Sequence, residues 1–181
     1  MAIDFENISY KEALKQSKKE FKLIFVDAYA SWCGPCKRMA KDVFPDQRVS
    51  DFFNKHFINL KIDMEKGEGP ALARSFQITS YPTFLFINQE GEIIHTAKGG
   101  RSIEQFIELA KEALSKNDVS EEIKLKYEQG NRDVDFLYNY SYALRSSGKP
   151  STKVVNDYIK QIEQFNSEKH IQFLFDFCIT Y

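Results

Sequence analysis

The chain has 181 residues, 43% of them hydrophobic and 28% charged, and a net charge of -1. This suits a globular protein with one core, or one domain plus an appendage. The balanced charge supplies no general pull toward nucleic acid or an anionic membrane, no apolar run reaches the ~18 residues of a membrane span, and the three cysteines are too few for a disulfide scaffold.

Met1 to Tyr10 has no apolar h-region, so no signal peptide is read there. Ser9 and Glu12 form a capping-box pattern that predicts a first helix carrying Tyr10, Ala13 and Leu14. Lys22 to Ala30 is a short apolar run bounded by charge, read as a buried central strand. Trp32-Cys33-Gly34-Pro35-Cys36-Lys37 follows at once and opens a helix predicted to reach about Phe44. Pro45-Asp46 breaks it, and Asp46 caps another helix bearing Val49, Phe52 and Phe53. A second strand, Phe57 to Asp63, sets Phe57, Asn59, Lys61 and Asp63 against Ile58, Leu60 and Ile62. After the turn Gly67-Glu68-Gly69, Pro70 starts a helix with Leu72, Ala73 and Phe76. Thr83 to Asn88 and Glu92 to Lys98 read as a β-hairpin around Gln89-Glu90-Gly91. Gly99-Gly100 is a loop, and Ser102 with Gln105 makes a second capping box before a helix to about Lys116.

The order αβαβαββα implies crossover connections and a sheet covered on both faces, ending in an antiparallel pair. Beyond Lys116 the strand signal stops. Helices are predicted near 119–129, 133–147, 151–164 and 168–180, with breaks at Gly130-Asn131, Gly148-Lys149-Pro150 and Asn166-Ser167. The expectation is an α/β domain over 1–116 and an all-α extension over 117–181, whose apolar end fits a piece of a longer helical array.

The chemistry concentrates at Cys33 and Cys36. A thiol at a helix N-terminus is stabilised as thiolate by unpaired N–H groups and the macrodipole. Cys33 is therefore expected at the helix start and exposed, with Cys36 shielded one turn on and able to join it in a disulfide. Half of a zinc site is the competing reading. It needs two more ligands, whereas Cys178 is remote and His56, His95 and His170 form no local pair, so the expectation is no metal. Asp27 lies within an apolar strand six residues before Cys33. Buried there, a carboxyl of raised pKa could exchange a proton with Cys36; the alternative is a strand-end aspartate facing solvent. Tyr81-Pro82 opens a strand of core character, a position where proline is tolerated and where a cis bond would make a tight turn. Cys178 reads as a structural thiol in an apolar helix, the phenylalanines as core rather than a stacking platform, and Lys18-Lys19-Glu20 and Glu121-Glu122 as solvated faces.

Together the strand and loop VDAYASWCGPCK, the LKID strand with Lys61, the ITSYPT segment and Gly99-Gly100 resemble the thioredoxin family over roughly residues 5 to 116. The resemblance implies a thioredoxin fold, a central mixed sheet flanked by helices. It implies a thiol-disulfide oxidoreductase that reduces protein disulfides, with attack by Cys33, resolution by Cys36 and proton transfer through Asp27, which Lys61 supports. Trp32, Gly34, Pro35, Tyr81, Pro82 and Gly99 would line the substrate groove. The redox pair would serve without another cofactor, between disulfide-containing protein substrates and an electron-donor protein. An oxidase or isomerase, or an interaction protein built on the fold, is the alternative. Three departures stand out. Lys41 occupies the position of the family's kinking proline, Tyr81 replaces a usual isoleucine, and the segment from Val43 to His56 is long. With MEKGEGPALARSF, that segment resembles exported bacterial thioredoxin-like domains and implies a periplasmic location, the cytoplasm being the alternative. The tail resembles helical-hairpin repeats.

Overall fold

The computed structural model describes residues 2–117, 121–162 and 167–178. The chain divides into two compact units, Met1–Asn117 and Asp118–Tyr181.

In the first unit, α1 (Tyr10–Glu20) precedes β1 (Leu23–Tyr29), and α2 (Gly34–Arg38) passes into a π-helical turn (Met39–Val43). Then come α3 (Gln47–His56), β2 (Phe57–Asp63), α4 (Gly69–Ser75), the hairpin β3 (Thr83–Ile87) and β4 (Ile93–Lys98), and α5 (Ile103–Lys116). The helix starts follow from local chemistry. Ser9 and Glu12 close a capping box on α1, Ser102 and Gln105 close one on α5, and the Asp46 carboxylate accepts the Arg48 N–H at 2.9 Å.

The sheet order is β2-β1-β3-β4. β1 runs parallel to β2 and antiparallel to β3, and β3 is antiparallel to β4. The parallel crossover and the hairpin match the sequence reading, but no second parallel crossover forms. The chain enters β3 at the end of the sheet where β2 left it, with Thr83 beside Ala28, and runs antiparallel to β1.

The period-2 alternation sorts the core into two chemistries. Phe25, Phe57, Phe84 and Phe86 face one side, packed with Phe53 of α3 and Phe106 of α5. Ile24, Val26, Ile58, Leu60, Leu85 and Ile87 face the other, under Ala13 of α1 and Leu72 and Ala73 of α4. The predicted helix reaches its cap at Phe44 but is not regular. It widens after Arg38, and the Phe44 N–H donates to the Met39 carbonyl at 3.0 Å. With no proline at Lys41 to force a kink, the wider turn buries Met39, Val43 and Phe44 together and leaves Lys41 and Asp42 exposed.

The second unit contains α6 (Glu121–Glu128), α7 (Val134–Ser146), α8 (Thr152–Gln161) and α9 (Glu168–Cys178), and no strand among its described residues. Leu137, Tyr140, Leu144, Val155, Tyr158 and Phe173 are buried in it. Tyr158 and Phe173 lie 4.1 Å apart by ring centroid, and the Tyr127 hydroxyl donates to Asp157 at 2.6 Å. The Cys178 side chain, the Glu121-Glu122 face and Asn166 of the last break lie outside the described residues. Among the described residues no helix is long and apolar enough to cross a membrane.

Phe106 stacks on Phe53 at 4.5 Å and is fully buried. Phe106→Ala is expected to destabilise the first unit by about 3–5 kcal/mol, the usual cost of emptying a buried aromatic site. Urea unfolding followed by the fluorescence of Trp32, the one tryptophan, measures it.

Candidate functional site

The ends of β1, β2 and β4 and the start of β3 meet at one edge of the sheet. Tyr29 pairs with Asp63, Ala28 with Thr83, and Thr83 with Lys98. From that edge β1 leads into the cysteine loop. Cys33 is the N-cap of α2, and its Sγ accepts the Cys36 N–H at 3.2 Å. Its sulfur is bonded to that of Cys36 at 2.05 Å.

Cys33 is not exposed as the sequence suggested. It is 2% accessible and Cys36 is 3%. The bond to Cys36 and the hydrogen bond from its N–H turn the Cys33 sulfur inward, where Ala30, Tyr29 and Tyr81 pack around the pair. Trp32 stands outside, 66% exposed. Its ring meets Tyr81 edge-on at 5.9 Å, and its indole N–H donates to Glu65.

Asp27 is fully buried, which removes the solvent-facing alternative. It stands on the phenylalanine side of β1, in register with Lys61 on one flank and Phe84 on the other. The Lys61 ammonium lies 3.5 Å from its Oδ2, in ion-pair range, and neither carboxylate oxygen accepts a hydrogen bond. Burial pushes the carboxyl up to about 6, against the opposing pull of Lys61. A group so placed, on the sheet face that Met39, Val43 and Phe44 also cover, can hold or release a proton near pH 6.

Tyr81-Pro82 is a cis peptide. The Pro82 carbonyl accepts the Gly99 N–H at 2.8 Å, which ties the glycine loop to the start of β3. Gly99 has φ +81°, a backbone conformation that favours glycine. Gly34 and Pro35 form the first turn of α2, and Pro35 borders a cavity of about 610 Å³ with Arg38, Met39, Gly100, Arg101 and Ile103. The structure thus gathers Trp32, Cys33, Cys36, Tyr81 and Pro82 at one sheet edge, while Lys61 and Asp27 sit in the sheet itself. Two residues escaped the sequence reading. Met39 packs against the glycine loop, its Sδ accepting the Arg101 N–H at 3.2 Å, and Glu65 holds Trp32. Neither carries a local signal, because each works across a turn of unpredictable shape. Among the described residues no three His, Cys, Asp or Glu side chains gather as metal ligands.

The raised carboxyl has a consequence for stability. Below about pH 4 folded and unfolded chains both hold the Asp27 proton. As pH rises toward 6 the unfolded chain releases it first, so folding loses about 1.4 kcal/mol per pH unit until the buried carboxyl ionises too. Asp27→Asn is expected to gain on the wild type between about pH 4 and 6 and to level off at roughly 2–3 kcal/mol above pH 7. Urea unfolding at pH 4, 6 and 8 tests this, and an equal effect at every pH would show that Asp27 does not titrate in the core.

Residues 10–114 match the thioredoxin-like domain family. Thioredoxin-like protein slr0233 of Synechocystis is 33% identical over 108 residues, 60% of this chain and 94% of that protein. The solution structure of a candidate disulphide-isomerase from Bacteroides thetaiotaomicron shares 44% identity at a TM-score of 0.58, covering 65% of this chain and 97% of that one. A thioredoxin from Thermus thermophilus shares 25% identity at a TM-score of 0.56, covering 65% and 92%. The chain spans 59% and 58% of the length of two further thioredoxins, from fruit fly and rice. With its thioredoxin fold and its Cys33–Cys36 disulfide, the chain belongs to the thioredoxin-like family of thiol-disulfide oxidoreductases.

Proposed function

We propose that the protein reduces disulfides in other proteins. The observation that carries this reading is the Cys33–Cys36 disulfide at the start of α2, where the Cys36 N–H points at the Cys33 sulfur. In the reduced form that N–H supports a Cys33 thiolate. The thiolate attacks one sulfur of the target disulfide and expels the other as a thiolate, leaving a mixed disulfide. Asp27 takes the Cys36 proton, and the Cys36 thiolate attacks the Cys33 sulfur. The target leaves as a dithiol, and Cys33–Cys36 is oxidised. A protein dithiol donor then restores the pair by the reverse exchange.

Gly34 and Pro35 favour the reducing direction, because neither adds a cation that would stabilise the dithiol and make the pair a strong oxidant. Trp32, Tyr81, Pro82 and Gly99 are proposed to receive the substrate chain beside Cys33, with extended backbone pairing at the edge that Pro82 opens. The test is reduction of insulin disulfides by dithiothreitol with and without the protein, together with the potential of the Cys33–Cys36 couple. Catalysis and a potential nearer about -270 mV than about -120 mV are expected. A potential at the oxidising end would make the protein an oxidase. Asp27→Asn should lower insulin turnover and flatten its rise with pH through about 6, the value to which Asp27 is raised. Unchanged turnover and profile would remove Asp27 from the mechanism.

The helical unit is proposed to choose partners rather than to take part in exchange. The described site residues all lie before Asn117, and the Bacteroides structure consists almost wholly of the matching unit. Ending the chain after Asn117 should leave insulin reduction within a few-fold of the intact protein. Partners trapped as mixed disulfides by Cys36→Ser should change. Loss of exchange together with loss of folding in the shortened chain would make the helices an integral part of one domain.

A further inference from the structure

Trp32 is largely exposed, yet its indole is tethered. Its Nε1–H lies 3.0 Å from both Oε1 and Oε2 of Glu65, a charge-assisted hydrogen bond shared between two oxygens. The ring edge rests on Tyr81, which packs against the cluster of Ala30, Cys33 and Cys36. Glu65 is itself firmly placed. The loop after β2 is drawn in by the Met64 N–H, which donates to the Tyr29 carbonyl at 2.9 Å. The Asp63 carboxylate accepts the Glu65 N–H and the Asp63 carbonyl accepts the Lys66 N–H, each at 3.1 Å. Only glycine permits the closure, because a Cβ at Gly69 would lie 2.0 Å from the Asp63 carbonyl oxygen. A continuous chain of contacts runs from this loop through Glu65, Trp32 and Tyr81 to the disulfide.

We propose that Glu65 is a positioning residue for exchange with protein disulfides, holding the Trp32 indole beside Cys33 as a pre-set wall against which the partner chain docks. The proposal rests on the disulfide-exchange reading above. Tryptophan and tyrosine are the side chains that most often anchor interfaces, and a large exposed side chain ordered only on docking weakens the encounter. Glu65 orders the indole beforehand. The effect belongs to docking rather than to the sulfur chemistry, so it falls on KM.

The experiment compares full-length wild type, Glu65→Ala and Glu65→Gln, the last keeping an acceptor oxygen at the same reach. Time-resolved fluorescence anisotropy reports on Trp32 alone, since the chain has one tryptophan. The wild-type indole is expected to turn with the protein. Glu65→Ala should add a fast local component, and Glu65→Gln should suppress most of it. In insulin reduction Glu65→Ala should raise KM about three- to tenfold with kcat held within about twofold, and Glu65→Gln should recover most of the loss. The urea midpoint should stay put, because Glu65 is exposed. An unaltered anisotropy decay in Glu65→Ala overturns the proposal, and so does a mobile indole with unaltered KM. A midpoint shift large enough to explain the KM change assigns Glu65 to the fold and overturns it too. A wild type that reduces no insulin disulfide overturns the exchange reading and with it the docking role, while the anisotropy arm separately decides whether Glu65 holds the indole.

Discussion

A carboxylate inside a layer of phenylalanine rings is the constraint around which the redox unit is arranged. Asp27 has both strand neighbours in place and no accessible surface, so its charge must be met from within the fold. The parallel register sets Lys61 directly beside it. That ammonium is in turn steadied by three rings, those of Phe5, Tyr29 and Phe44, at 5.0–5.5 Å from their centroids. Phe44 enters this group because the active-site helix widens into a π turn that buries it together with Val43. The helical irregularity and the ion pair are thus parts of one arrangement. A regular helix would swing Phe44 around its axis and leave Lys61 with two rings and Asp27 with a less constrained partner.

The position of the cysteines follows from strand direction. β1, β2 and β4 end, and β3 begins, at one edge of the sheet. Loops at that edge therefore deliver Cys33, Glu65, Pro82 and Gly99 to one place without any of them being neighbours in sequence. The opening of an α/β sheet at its strand ends is the usual place for chemistry, since loops there vary while the sheet holds them still. Here the loops also bind one another, Gly99 to Pro82 and Met64 to Tyr29. The site's rigidity is therefore a property of the whole edge and not of the cysteine loop alone.

Local signals explain which parts of this were legible in the sequence. The caps at Ser9, Asp46 and Ser102 and the alternation along Phe57 to Asp63 are short-range patterns, and those elements form where such patterns place them. Asp27 was readable because a charge in an apolar run is itself a signal, and Lys61 through the resemblance of its LKID strand to the family's. Three features were not readable. The inward turn of the Cys33 sulfur depends on its bond to Cys36 and on Tyr81, which lies 48 positions away. The π turn depends on how many side chains the core can accept below Arg38. The bond from Trp32 to Glu65 depends on the fold of the loop after β2. Each is decided by tertiary packing, which no spacing in the chain encodes.

The helical unit follows a different logic. Its core is rich in tyrosine, and a buried phenol needs a partner for its hydroxyl. Tyr127 donates to Asp157, Tyr142 to Asp176, and Tyr158 lies 3.0 Å from the His170 Nδ1. Asp157 also pairs with Arg132 at 3.0 Å, and the Arg132 guanidinium lies over the Tyr127 ring at 4.0 Å. Each bond joins two different helices or a helix to its loop, and each is satisfied in one packing of the four and lost in a slipped one. A plain apolar core would tolerate such slippage. The unit is therefore a specified structure and more than a flexible tether, and it presents Leu125, Ile171 and Phe175 at fixed places on its surface. Selecting a partner requires a surface of that kind, and exchanging a disulfide does not.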